Sequence, residues 1–294
     1  MLVSELLAIS AALCISISGM LISELKGRVD VFRLARWQML TAFSFTAAMS
    51  IVVGGWRTLE VWQAGYLAAS SFFGIIIASL TYFAAIYSAG PRLTALLFAM
   101  TAPFALLLGY GALGETITAQ QGLGVALVLS GVFLAIGMPS SVTPASTAVP
   151  WLGIFFGLVT ALGQALGSLC ARPAMAAGVE PFTAMAMRSA VGASFFLLLG
   201  MLPFPALRRP YRFSYQALGL GVAASLCGAG LGMSLLMAAL SRGDVGIVST
   251  LSSMTPILIL PMVWLRSGVA PSAQAWLGAV LAVAGTALIS VQSG

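Results

Sequence analysis

Apolar residues in this chain come in long stretches, and the short intervals between them carry most of the charges, most prolines and many glycines. Ten stretches are readable, over roughly 2–23, 34–53, 63–87, 92–112, 119–137, 150–172, 182–202, 214–240, 245–265 and 272–291. Each holds about 20 residues, the length an α-helix needs to cross a ~30 Å hydrocarbon core. Barrel strands would instead alternate apolar and polar residues over ~10 positions. In hydrocarbon every backbone group must be paired, and a helix does this within itself. The pattern predicts an all-α membrane protein of ten transmembrane helices. The first stretch lacks a basic leader and a convincing cleavage site, so it reads as a retained helix rather than a signal peptide.

One interval stands apart. Met138 to Val149 is uncharged, rich in Ser, Thr and Pro, and falls at mid-chain, as a connector would. It divides the chain into a first five-helix repeat, 1–138, a linker, 139–149, and a second five-helix repeat, 150–294. Several features recur at an offset of about 152–154 residues. Ser88-Ala-Gly90 leads to Thr101-Ala-Pro103 as Ser241-Arg-Gly243 leads to Thr255-Pro256. Gly124 and Gly131 are matched by Gly278 and Gly285, and Arg36 by Arg188. Five crossings are an odd number, so the second copy is upside down relative to the first. Inverted repeats of this kind build secondary transporters whose site lies near the midplane between the halves.

Composition agrees with the pattern and removes several functions. Sixty per cent of the residues are hydrophobic, 7% are charged and the mean hydropathy is +1.07, whereas a soluble domain carries about 25% charged residues. The formal charge of +6 comes from Lys and Arg placed singly or in short groups between apolar runs. That is a topology signal, not a nucleic-acid surface. Cys14, Cys170 and Cys227 lie inside apolar runs with no metal or redox spacing, and there is no histidine. No metal, cofactor or nucleic-acid partner is expected. The seven acids are Glu5, Glu24, Asp30, Glu60, Glu115, Glu180 and Asp244, and none falls at the middle of a stretch. With neither histidine nor a deep carboxylate, an intramembrane enzyme has no nucleophile–base pair or acid pair to use. Proton-coupled efflux of organic cations, the alternative transport reading, lacks its intramembrane carboxylate. Neutral or zwitterionic solutes suit the chain better. A passive channel gains nothing from the repeat.

The run Tyr82-Phe-Ala-Ala-Ile-Tyr-Ser-Ala-Gly-Pro-Arg-Leu-Thr-Ala-Leu-Leu-Phe-Ala-Met-Thr-Ala-Pro103, followed by Leu113-Gly-Glu-Thr-Ile-Thr-Ala-Gln-Gln-Gly-Leu-Gly124 and Gly131-Val132, resembles the EamA type of the drug/metabolite transporter superfamily. The second half repeats it with Pro256, Gln274, Gly278 and Gly285, although Ser267-Gly268 stands where Gly-Glu would be. The resemblance implies a ten-helix secondary transporter that moves small metabolites, most often outward. Known branches export amino acids, including aromatic ones. It implies alternating access around a central cavity between the repeats, in a plasma membrane (the inner membrane of a bacterium). The expected partners are a small-molecule substrate and membrane lipid, and a monomer suffices.

Candidate substrate-binding residues are the polar and aromatic groups inside the stretches, because a polar group in hydrocarbon must face a cavity or a neighbouring helix. Ser249, Ser252 and Ser253 share a helical face with Pro256. They form either one wall of the substrate path or a tight helix contact. Met100, Thr101 and Pro103 are their counterparts in the first half, and Pro103 and Pro256 are read as helix breaks. Ser16, Gln164 and Ser168 come from stretches one and six. Ser79 and Tyr82 come from stretch three. Gln164 can donate to a carboxylate or accept from an ammonium. Arg36 and Arg188, near helix starts, either snorkel to the headgroups or form a symmetric gate. Glu115 is read as the cap of stretch five. Positive charge is concentrated in the loops opposite the termini, which places the termini outside the cytoplasm. Members of the resembled family are usually drawn with both termini inside.

Overall fold

The computed structural model describes residues 2–113, 117–136, 151–201, 214–240 and 254–290. The first crossing is α1 (Leu2–Glu24) and the second α2 (Val31–Val53). The third starts as α3 (Val61–Ser71), widens into a π-helical turn over Phe72–Ile77, and continues into α4 (Ala78–Phe98). A kink inside α4 separates crossings three and four, and α5 (Thr101–Leu113) completes the fourth. The fifth is α6 (Ala119–Ile136). In the second half come α7 (Trp151–Ala176) and α8 (Pro181–Met201), and then α9 (Tyr215–Ser225). A second π turn, Leu226–Gly232, joins α9 to α10 (Met233–Leu240), and α11 (Thr255–Ser267) and α12 (Ala273–Ser290) follow. Five of the described helical spans are long and apolar enough to cross a membrane, and shorter apolar helices accompany them.

Local chemistry sets the helix ends. Asp30 accepts the Arg33 amide at 2.9 Å and pairs with its side chain at 3.3 Å, opening α2. Glu180 does the same for α8, accepting from the Phe182 and Thr183 amides at 2.8 and 2.7 Å. Between crossings three and four the chain turns at Gly90, with φ 82° and ψ 166°. This backbone is open at low cost only to glycine, and Pro91 then starts the next helix.

The halves are interlaced rather than side by side. The most extensive contacts are α6 with α12, α4 with α7, and α2 with α8, each joining one half to the other. Crossing one packs on the second π turn and α10, as α7 packs on crossing three. Each pairing maps onto another, or onto itself, when the repeats are exchanged.

The α6–α12 contact shows the inversion in atomic detail. A β-carbon on Gly131 would stand 2.5 Å from Gly278 O and 2.9 Å from Ala282 N. One on Gly285 would stand 2.5 Å from Gly124 O and 2.7 Å from Val128 N. These are the same contacts with the halves exchanged. Gly124 meets Gly285 and Gly131 meets Gly278, so the numbers rise along one helix as they fall along the other. The equivalent helices are antiparallel, as an in-plane two-fold requires. In a bilayer, such small-residue seams hold helices together by close van der Waals approach.

The α7 seam uses the same device. Gly153 faces Ala89, Gly157 faces Leu97, Gly163 faces Phe73 and Ala78, and Gly167 faces Gly74. Buried hydroxyls add cross-repeat bonds: Ser70 to Gly167 O at 2.6 Å, Thr81 with Thr160 at 2.7 Å, Ser50 with Thr183 at 2.6 Å, and Ser18 to Ala224 O at 2.7 Å. Bonds of this type in membranes are worth about 0.6–2 kcal/mol each.

Candidate substrate-binding site

Two clusters of candidate residues form where the halves meet. The first surrounds Gly74, in the π turn at the middle of crossing three. A β-carbon there would lie 2.9 Å from Arg188 Nη2 and 3.0 Å from Gln164 Oε1. The missing side chain lets the polar ends of α7 and α8 residues converge on one small space. Gly167 makes this possible, since its own β-carbon would stand 2.6 Å from Gly74 Cα. Gln164 makes no hydrogen bond among the described residues. Ser168 is exposed on the same α7 face, one turn further along.

The second cluster surrounds Tyr82. Its hydroxyl lies 3.2 Å from the place of a β-carbon on Gly19 of α1, with Ile259 of α11 close by. Its ring packs edge-on to Phe98, with centroids 6.2 Å apart. Tyr82 thus stands where crossings one, three, four and nine meet. Ser79, half-buried, lies one turn before it on the same face.

Other candidates are placed differently. Ser16 is fully buried and donates to Ala12 O of its own helix at 2.8 Å. Met100 is buried in an apolar cluster with Leu97, Val128 and Ile154. Thr101 donates to Phe98 O at 2.7 Å. Pro103 and Pro256 lie in the first turns of α5 and α11. The interruption of crossing four is at Ala99–Met100, ahead of Pro103. Ser249, Ser252, Ser253 and Glu115 lie outside the described residues.

Arg36 and Arg188 are not a matched pair. Arg36 is half-buried beside Gly200, in a recess of ≈ 20 Å³ that also touches Asp30 and Phe196. Arg188 is only 4% exposed. Snorkelling does not describe it, because the close seam between α7 and crossing three encloses the guanidinium within the bundle. Tyr87, one turn before the Gly90 kink, has its hydroxyl buried and without a hydrogen-bond partner.

Sequence reasoning missed Gly74 and the π turns. Phe72–Ile77 and Leu226–Gly232 begin at equivalent positions of the two halves. The available signal was Ser71-Phe-Phe-Gly74 against Ser225-Leu-Cys-Gly228. π turns inside α-helices are frequent at functional sites.

A family model described as the EamA-like transporter family matches residues 2–137 and again residues 151–291. The chain belongs to this family. It is therefore a membrane transporter of small molecules, built from two copies of the EamA-like unit. Among the solved structures that match this EamA-like transporter, one crystal structure has a TM-score of 0.70 at 19% identity, covering 97% of this chain and 95% of its own. At that identity the likeness concerns the fold. No curated protein matches the chain with significance.

Proposed function

We propose that this EamA-like protein is a secondary transporter that exports small metabolites, amino acids and aromatic ones among them, by alternating access. The observation that carries this reading is the exchange symmetry of the helix contacts. A bundle whose two ends are related by an in-plane two-fold has two nearly equivalent ways to open. Gln164, Tyr82, Ser79 and Ser168, with Ser249, Ser252 and Ser253 of the ninth apolar stretch of the sequence, are proposed to line the path. Thr101, Pro103 and Pro256 then serve as hinges beside it. Ser16 and Met100 support that wall by packing. The Tyr82–Phe98 pair offers an aromatic face to an aromatic solute.

Counterflow of labelled L-phenylalanine in proteoliposomes tests the reading. Saturable, trans-stimulated exchange is expected. Voltage-driven, unsaturable flux would instead support a channel, and no flux of any amino acid would remove the substrate class.

One contact bears on the opening at a single end. Where α1 and α11 finish, Arg266 Nε and Nη2 grip the Glu24 carboxylate at 2.5 and 2.7 Å, joining the two halves. The pair is exposed, so its contribution is small. Glu24→Gln is expected to change the exchange rate about two- to five-fold by favouring opening at that end. The charge-swapped pair, Glu24→Arg with Arg266→Glu, should return the rate toward the original. An unchanged rate in the single variant would show that the clasp takes no part in turnover.

A further inference from the structure

Arg188 is the most anomalous side chain in the described part of the molecule. It sits seven residues into α8, inside the bundle, and carries a permanent charge. Its Nε has no hydrogen-bond partner. Its Nη1 reaches only the thioether sulfur of Met185, at 3.7 Å, a weak acceptor. Ser71 donates to the Arg188 backbone oxygen at 2.6 Å, which seats the residue without neutralising its side chain. Three acids of the described residues are committed elsewhere. Glu24 holds Arg266, Asp30 holds Arg33, and Glu180 caps the helix that carries Arg188. A buried guanidinium with no carboxylate is costly, and in a membrane protein it marks a solute pathway.

The direction of the free group is informative. Arg266 grips Glu24 through its Nε–Nη2 edge, the two-pronged edge that matches a carboxylate. In Arg188 the Nε of that edge is unpartnered, and its Nη2 stands 2.9 Å from the place of a β-carbon on Gly74. Gln164 borders that space from α7, and its amide can turn to present either its oxygen or its NH2 group. One fork-shaped cation beside a neutral amide suits a planar monoanion.

We propose that the Nε–Nη2 edge of Arg188, assisted by Gln164 over Gly74, holds the carboxylate of the transported solute. This rests on the transport reading and narrows it to carboxylate-bearing solutes. It gives Arg188 the role of substrate anchor instead of gate. It makes Gly74 a positioning residue, whose missing β-carbon lets the polar ends of Arg188 and Gln164 come together.

The test measures ligand-induced thermal stabilisation of the purified full-length protein. The probes are L-phenylalanine, phenylacetate and L-phenylalaninamide, which separate the carboxylate from the ammonium. Wild type is expected to bind the first two at least ten-fold more tightly than the amide. Arg188→Gln should abolish that preference, and Arg188→Lys should keep a weakened one, since an ammonium lacks the fork. Gly74→Ala keeps the arginine and is expected to weaken both carboxylates several-fold. It carries the test if Arg188→Gln does not fold. Retention of the carboxylate preference in folded Arg188→Gln would overturn the proposal. So would equal binding of acid and amide by wild type, or binding of none of the three probes. Counterflow read in parallel separates the two claims. Exchange that persists without an Arg188-dependent preference removes the anchor alone. A preference without exchange supports the anchor and removes the transport reading.

Discussion

Gly131→Ala is expected to destabilise the protein by about 1–3 kcal/mol, the usual cost of forcing atoms into a filled seam. The added methyl would meet Gly278 O at 2.5 Å and Ala282 N at 2.9 Å, and both are backbone atoms that cannot swing aside. Gly285→Ala should cost a matching amount, because its methyl meets Gly124 O and Val128 N in the same way. The equality is the informative part. An accidental close contact in one helix pair would give unrelated costs at the two positions. Gly122→Ala supplies the control on the same helix, since nothing lies within 4 Å of its β-carbon position. It is expected to be neutral, or stabilising by up to about 1 kcal/mol through helix propensity. Thermal unfolding of the three variants in detergent measures all of this. Unequal losses at 131 and 285 would count against the two-fold.

Gln164→Leu is expected to leave stability nearly unchanged and to reduce amino-acid exchange about ten- to hundred-fold. Its amide is bonded to nothing in the described structure, so the folded state loses no hydrogen bond when it goes. A substrate that hydrogen-bonds through a charged group loses about 1.5–3 kcal/mol instead. Ser70→Ala should behave the opposite way. Its hydroxyl is buried and spent on Gly167 O at 2.6 Å, so it loses stability of about 0.6–2 kcal/mol while exchange stays within a few-fold. Stability and counterflow measured on both variants separate path from packing. A Gln164→Leu variant that is destabilised yet transports normally would place Gln164 among the packing residues.

The crossings and the repeat were readable in the sequence because hydrocarbon imposes length and the repeat duplicates its punctuation. Gly124, Gly131, Gly278 and Gly285 could be paired by offset alone, and the structure makes them one seam. The facing of individual side chains was much less readable. A helix that is apolar all round has no polar face to mark its inside. Ser16 and Gln164 therefore look alike in sequence, yet one is bonded to its own helix and the other borders the Gly74 space. The enclosure of Arg188 was hidden for a related reason. Seven residues from a helix start, an arginine is long enough to reach headgroups. What encloses it is the close approach of Gly167 to Gly74, a contact between distant parts of the chain. Gly74 passed unremarked because glycines are common in membrane helices, and its meaning comes from the π turn around it.

The most direct test of alternating access by two interlaced halves does not need the substrate's identity. Spin labels at Lys26 and Ala270 report the end where α1 finishes, and labels at Arg57 and Ala177 report the other. All four positions are exposed, and Cys14, Cys170 and Cys227 are replaced beforehand. Distances between the pairs, measured by pulsed electron resonance in lipid, should each show two populations. Glu24→Gln should raise the long-distance population at 26–270 while lowering it at 57–177. Two pairs that each hold one distance under all conditions, or that lengthen together, would contradict the account.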